Sequence, residues 1–433
     1  MQVSVESGEG LTKKMRVELP AERVNEVVDA KLKEVARTVR LDGFRPGKVP
    51  VRVVKQRFGA QIRQDAYGDL IQASFYEAAE KEALFPVGDP KIELHEDEEG
   101  NGGLSYTATF EVMPKVELAD FTALSIKRPQ AQVTDADVDA MIEKLRDQRK
   151  EWNPVERPAQ DGDRLTIDFT GYLDGEAFDG GSASDFQLVL GSGTMIPGFE
   201  EGLKGAKAGE ERKLEVKFPD DYSAEHLAGK EATFDVTIKE VAEPVLPEVD
   251  EAFIKALGVE AGTEDALRKE VRENMERELK QKLKSLTKER VMDAMLQAHD
   301  LQVPSAMVQR EAEHLKRQAQ EEMAGAGQRS AVDLPVSLFE PQAERRVKLG
   351  LLVGEIIKSN SMNVDQERVD QAIAEQAATF EEPQQIIDWY AENPEARKAV
   401  ENVVMEDQVV DWVLDQAQVE DENLTFDELV NSK

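Results

Sequence analysis

No single hydrophobic period runs through this chain, and the points where the period changes limit what it can fold into. Met15, Val17 and Leu19 alternate as in a half-buried strand. Val24, Val27, Val28, Leu32, Val35 and Val39 then recur at three and four, the stripe of a helix packed on one side, with Pro20 placed to suit its first turn. A second helical stretch runs from about Val51 to Leu84, and Tyr106, Ala108, Phe110 and Val112 alternate again. Alternation returns in Leu165, Ile167, Phe169, in Leu214, Val216, Phe218, and in Ala232, Phe234, Val236, Ile238, with a turn marked at Asp174-Gly175. After EPVLPEVD (243–250) the pattern becomes helical. Leu267, Val271, Met275, Leu279, Leu283 and Leu286 form a stripe on a helix that Thr263 caps and that reaches about His299. Glu273 with Arg277, Glu276 with Lys280 and Glu278 with Lys282 are favourably oriented pairs along it. Further helices are expected over Pro304 to Met323, Pro335 to Lys358, Asp365 to Phe380 and Pro394 to Gln418. These changes predict a multidomain α+β chain. An α+β domain covers 1–112, a connector with a short helix (Val138, Ile142, Leu145) covers 113–149, an antiparallel sheet domain covers 150–245, and an all-helical domain covers 246–433.

At 433 residues, with 40% hydrophobic and 33% charged, the chain suits a soluble protein of about three domains. Its longest apolar clusters, such as LGLLVG (349–354), are too short to span a membrane, and MQVSVESGEG has no cationic start or apolar run. The absence of cysteine rules out disulfides and thiolate chemistry, so a cytosolic, cytoplasmic setting is expected. A net charge of −34 argues against general nucleic-acid binding. Yet residues 31–63 hold ten Lys or Arg against two acids, net +8, which leaves −42 on the rest. Such asymmetry turns one end of a molecule toward an anionic partner. Within that segment lies GFRPGKVP (43–50), with Phe44, Arg45 and Lys48 held among two glycines and two prolines. By composition it could be an ordinary helix connection with Phe44 packed inward; the restricted backbone and local charge suit a protruding contact loop.

GFRPGKVP closely resembles the ribosome-docking signature of bacterial trigger factor, and the three-part layout is similar to that family over essentially the whole chain. The resemblance implies a ribosome-binding domain in which Gly43, Phe44, Arg45, Pro46, Gly47 and Lys48 dock on ribosomal protein and rRNA beside the exit tunnel of the large subunit. There Arg45 would supply a forked donor, Lys48 a point charge and Phe44 apolar area. Some members carry a further basic residue where this chain has Pro46.

DGDRLTIDFTGYLDGEAFDGG, FQLVLGSGTMIPGFEEGL and FPDDYSAEHLAGKEATFDVTI resemble the macrolide-binding, FKBP-like prolyl isomerases in order and spacing. That resemblance implies a proline pocket lined by Phe169, Phe178, Asp179, Phe186, Met195, Ile196, Phe199, Tyr222 and Phe234. Substrate carbonyls would be anchored by the Ile196 N–H and the Tyr222 hydroxyl, with Asp179 a polar wall contact. Phe169 stands where many relatives have Tyr, and Phe199 where they commonly have Trp at the pocket floor. Any one of these phenylalanines taken alone reads as ordinary sheet core; the ordered set with its glycines favours a pocket. The chemistry requires little beyond a dry slot, because the barrier of roughly 18–20 kcal/mol is lost amide resonance and the twisted amide depends less on water.

In the trigger factor family the C-terminal helices form paired arms around a cradle for unfolded, nascent chains, and the connector packs against them. Seven of the twelve methionines lie beyond residue 250, a slight excess for which core packing is the simpler reading. In GSGTMIPG (191–198) Ile196 replaces the third glycine of a dinucleotide fingerprint, no phosphate loop occurs, and His95, His226, His299 and His314 have no metal spacing. No cofactor and no metal are therefore expected, and clients leaving without fuel implies contacts of about −8 kcal/mol. The family also implies a homodimer away from the ribosome. Two other readings remain at this point, a free folding enzyme devoted to proline isomerisation and an adaptor bridging fixed partners.

Overall fold

The structure, a computed structural model, describes residues 1–41, 44, 48–95, 103–222, 224, 227–325, 334–378, 380 and 382–431, with the side chains of Asp179 and Asn431 outside that description. The chain divides into two compact units, 1–129 with 285–422 and 130–284 with 423–433. Among the described residues no helix is long and apolar enough to cross a membrane.

The first unit opens with strands β1 (Gln2–Ser7) and β2 (Thr12–Leu19), then helices α1 (Ala21–Thr38) and α2 (Val51–Lys81), then β3 (Pro86–His95) and β4 (Leu104–Val112). The strands form an antiparallel sheet in the order β1-β2-β4-β3. Met15, Val17 and Leu19 lie opposite Ala108, Tyr106 and Leu104, so the alternating residues of both strands share one buried face. Val24, Val28 and Leu32 of α1 and Ile62, Leu70 and Phe75 of α2 join the same core. Phe75 meets Phe110 edge to face at 5.0 Å, and beside it Ser74 Oγ donates to the Leu70 carbonyl and pairs with the Tyr106 hydroxyl at 2.8 Å. α2 ends at Lys81, before the expected Leu84, because Ala83 takes a left-handed conformation (φ 52°) and turns the chain toward β3.

Between β4 and the sheet domain, β5 (Ser125–Gln130) is followed by α3 (Asp135–Gln148), which Thr134 and Asp137 close with a reciprocal cap. The sheet of the second unit comprises β6 (Glu151–Pro154), β7 (Arg164–Leu173), β8 (Glu176–Val189), β9 (Glu211–Lys217) and β10 (Glu231–Val245), with the short helix α4 (Phe199–Leu203) between β8 and β9. β10 pairs with β7 along one edge and with β9 and then β6 along the other. Asp174 (φ 51°) and Gly175 (φ 87°) form the tight β7–β8 turn that the sequence predicts. A bulge between Ile238 and Glu240 shifts the parity, so the buried series Ala232, Phe234, Val236, Ile238 resumes at Val241. The linker expected at 243–250 begins later than the sequence suggests. Glu243, Pro244 and Val245 still pair with β6, and the Arg157 guanidinium bridges Glu243 and the buried Asp163. Pro244 is tolerated because the pairing of β10 with β7 ends at Ala242, so at Pro244 β10 pairs with β6 alone and is itself an edge.

Beyond β10 come α5 (Glu251–Ala256), α6 (Glu264–Ala298), α7 (Ser305–Gly325), α8 (Glu340–Ser359), α9 (Gln366–Ala377), α10 (Pro383–Glu392), α11 (Pro394–Gln416), strand β11 (Gln418–Asn423) and α12 (Phe426–Asn431). Helix therefore prevails from 251 to 416, and β11 then pairs with β5. In the second unit, Arg268 and Arg272 of α6 bind Asp139 and Asp135 of α3. In the first, Val291, Met292 and Met295 of α6 meet Phe121, Ile126, Leu352, Ile356, Val409 and Val413 in one core. His299 works as a joint there: its Nε2 accepts the Ala119 N–H at 2.8 Å and its Nδ1 lies 2.6 Å from the Met295 carbonyl. The seven methionines beyond 250 are buried or half-buried, so core packing describes them; among the described residues of these helices and their connections, the exposed large apolar side chains are Leu338, Phe380, Trp389 and Val403. Removing the Tyr106 hydroxyl with Tyr106→Phe leaves Ser74 its Leu70 acceptor, so the loss is expected to be about 1 kcal/mol. Core amides of α2 and β4 should then exchange roughly fivefold faster.

Candidate functional site

Two places carry the residues singled out from the sequence. The first is a cavity of about 610 Å³ in the sheet domain. Phe169, Phe178, Phe186, Met195, Ile196, Tyr222 and Phe234 all line it, drawn from β7, β8, β10 and the loops after β8 and β9. Alternation puts Phe169 and Phe234 on the inner face of their strands, where rings meet edge to face. Phe169 lies 5.7 Å from Phe186, 5.8 Å from Phe199 and 6.0 Å from Phe234. Phe199 is fully buried and packs edge to face against Phe169 and Phe234, two rings of the lining, without lining the cavity itself. The position of the Asp179 side chain lies outside the described residues.

Several lining residues carry no signal of their own in the sequence. Phe218, 4.8 Å from Tyr222, is an alternating strand residue like any other until its ring is seen to close one wall. Gly171 and Gly181 make room for Phe178. A Cβ on Gly171 would lie 2.7 Å from the Phe178 ring and 2.6 Å from that of Phe234, and one on Gly181 would lie 2.6 Å from Phe178. Composition shows glycines there, but only the fold shows the ring they accommodate.

The loop 191–198 forms the rim. Gly191 and Gly193 donate their N–H groups to Glu200 Oε2 at 2.8 and 3.2 Å, and Thr194 and Met195 donate to Oε1 at 3.0 and 3.2 Å. Gly198 donates to Glu201 at 3.0 Å and Ser192 to the Val189 carbonyl at 3.3 Å. Pro197 has no N–H. Among the described residues, the Ile196 N–H is the one amide of this loop without an acceptor. The Tyr222 hydroxyl across the cavity likewise has no partner among them.

The second place is the tip of the α1–α2 hairpin. Val49 is buried in the hairpin core and Pro50 precedes α2, while Phe44 is 40% exposed and Lys48 is exposed. Gly43, Arg45, Pro46 and Gly47 lie outside the described residues. From Ser74, where α2 meets the sheet, to Val51 at the tip is roughly 35 Å at the helical rise. Of the described cations between 31 and 63, Lys31 pairs with Asp69 at 2.5 Å, whereas Lys33, Arg37, Arg40, Lys48, Arg52, Lys55, Arg57 and Arg63 are exposed without an ion pair among the described residues.

Burial pushes the Glu200 carboxyl up, but the N–H groups of Met195, Gly193, Gly191 and Thr194 outweigh it and hold it below the ordinary 4.5. Asp163 is likewise pushed up by burial and brought below 3.8 by the Arg157 guanidinium and the Gln160 N–H. Both carboxylates stabilise the fold above their ordinary values and lose that contribution as pH falls through the depressed ones. The thermal midpoint of the sheet domain should therefore hold at neutral pH and fall steeply below about pH 4. Gly181→Ala should drive its new methyl into the Phe178 ring and cost about 1–3 kcal/mol of sheet-domain stability, read as a lower thermal midpoint.

A family profile described as bacterial trigger factor protein matches residues 1–145, and one for its C-terminus matches 263–415. Between them, FKBP-type peptidyl-prolyl cis-trans isomerase matches 155–239. Trigger factor of Thioalkalivibrio sulfidiphilus is 48% identical over 433 residues, covering 100% of this chain and 99% of its own length. That of a Marinomonas species is 47% identical over 430 residues, covering 99% and 97%. A solved structure of the trigger factor chaperone covers 96% of this chain and 99% of its own at 18% identity, with a TM-score of 0.46. On the two profiles and the full-length relatives, the chain belongs to the bacterial trigger factor family and carries that family's FKBP-type peptidyl-prolyl cis-trans isomerase domain.

Proposed function

We propose that this chain is a ribosome-associated, ATP-independent chaperone of the cytoplasm that holds nascent chains and isomerises their X-Pro bonds. The observation that carries the isomerase half is a phenylalanine-walled cavity whose rim keeps one amide, that of Ile196, without an acceptor among the described residues. The prolyl ring enters among Phe169, Phe178, Phe186 and Phe234, with Met195 at the rim. A substrate carbonyl accepts from the Ile196 N–H and a second from the Tyr222 hydroxyl, while Phe199 backs the wall and Asp179 adds a polar contact. Planar amide resonance separates charge and is supported by water, so a dry aromatic slot raises the planar state relative to the twisted one. Anchoring the flanking carbonyls confines the rotation to the prolyl bond.

For the chaperone half, Gly43 to Lys48 form a docking tip on the large ribosomal subunit near the exit tunnel, contacting ribosomal protein and rRNA. The exposure of Phe44 and of the unpaired cations behind it supports this reading. Residues 1–112 are the ribosome-binding domain, 150–245 the isomerase, and 246–433 with the connector 113–149 the client cradle. Exposed Leu338, Phe380, Trp389 and Val403 offer scattered apolar contacts to an unfolded chain. Away from the ribosome a homodimer would cover such surface. The double variant Phe44→Ala, Arg45→Ala should abolish co-sedimentation with ribosomes and leave isomerisation of a test peptide intact; retained co-sedimentation at ordinary salt would refute the docking assignment. Docking of the unaltered chain should also weaken steeply as salt rises.

A further inference from the structure

Glu200 is 6% exposed and is one of three buried polar or charged side chains among the described residues. A buried carboxylate needs compensation, and here the compensation comes from one loop. Four N–H groups of residues 191–195 converge on its two oxygens, two on each, and the Ser192 hydroxyl adds a longer contact of 3.3 Å. Those bonds tie down four of the five residues of a glycine-containing turn that would otherwise have much conformational freedom. The turn passes directly into Ile196, whose N–H has no acceptor among the described residues at the cavity rim. On its other side Glu200 follows Phe199, whose ring packs at 5.8 Å from Phe169 and 5.3 Å from Phe234. One dipeptide thus anchors both the aromatic wall and the loop that presents the amide.

We propose that Glu200 is a positioning residue of the isomerase: its carboxylate holds loop 191–195 in the conformation that aims the Ile196 N–H at the substrate carbonyl. The inference rests on the assignment of this cavity as the prolyl site. It goes beyond a role in stability, because charge and shape can be separated by substitution. Glutamine has the same outline, yet presents one acceptor oxygen and one NH2 group. Whichever way it is placed, two of the four loop amides face a donor and lose their bond. The carboxylate is held ionised by those same amides, so it is charged throughout the neutral range in which isomerisation is measured.

The test uses the full chain with Glu200→Gln, and with Ile238→Val as a control that loosens the sheet core away from the loop. Two readings are taken: kcat/KM for isomerisation of an X-Pro test peptide, and amide exchange of Gly191, Gly193, Thr194 and Met195 against that of β10. For Glu200→Gln the expected result is a fall in kcat/KM of roughly tenfold or more, with faster exchange confined to the loop. Ile238→Val should keep near-normal kcat/KM. Activity of Glu200→Gln within twofold of the unaltered chain overturns the proposal, and so does an equal loss in both variants, which would mark Glu200 as merely structural. Should Glu200→Gln fail to fold, Glu200→Asp takes its place. It keeps the charge one methylene short, and the same pair of readings and the same overturning outcomes apply. If the unaltered chain shows no isomerisation, the functional reading of the cavity fails, while the exchange data still decide whether Glu200 orders the loop.

Discussion

Edge-to-face packing around Phe169 holds the sheet domain together and shapes its cavity at once. One ring contacts Phe186, Phe199 and Phe234, so the wall of the cavity is also the face of the hydrophobic core. Aromatic pairs prefer this tilted geometry, which gives the wall a fixed orientation that aliphatic side chains would not supply. Phe199 illustrates the economy: fully buried, it never reaches the cavity, yet it braces two rings that do. The glycines opposite Phe178 complete the arrangement by leaving room for a ring where any Cβ would collide.

A different principle governs the α1–α2 hairpin. Its apolar stripes are spent on the shared core, which leaves its cations on the outside, in a chain whose remaining residues are strongly acidic. A 31-residue helix carries that charge well away from the sheet it is anchored to. The anchor itself is made of close contacts, Phe75 against Phe110 and Ser74 against Tyr106. Charge brings an anionic partner near over distances of about a Debye length, and apolar area such as Phe44 acts only on contact. Salt therefore weakens the approach far more than the apolar contact that follows.

The helical region divides its apolar residues between packing and display. Met292 and Met295 fill the core with Phe121, Ile126 and Leu352, whereas Trp389, Phe380, Val403 and Leu338 remain in solvent. The strand pair β5–β11 and the His299 joint tie the connector to this region through bonds between residues nearly two hundred or three hundred positions apart.

Features fixed by neighbours along the chain are legible in its sequence: the strand-to-helix changes of period, the Asp174-Gly175 turn and the Thr263 cap. Periods of 2 and 3.6 are local properties, and turn chemistry acts over a few residues. β11, with the sequence QVEDEN, has no apolar alternation and becomes a strand only because β5 offers it an edge. β10 continues through Pro244 because β6 and the Arg157 bridge are there to receive it. The ring packing of Phe199 and the role of Glu200 as acceptor for four loop amides arise through contacts that depend on how α4 meets the loop after β8. Residue type and spacing state what a side chain can do; whether a buried carboxylate faces four amides or none is decided when distant segments close around it, since desolvation depends on everything packed nearby.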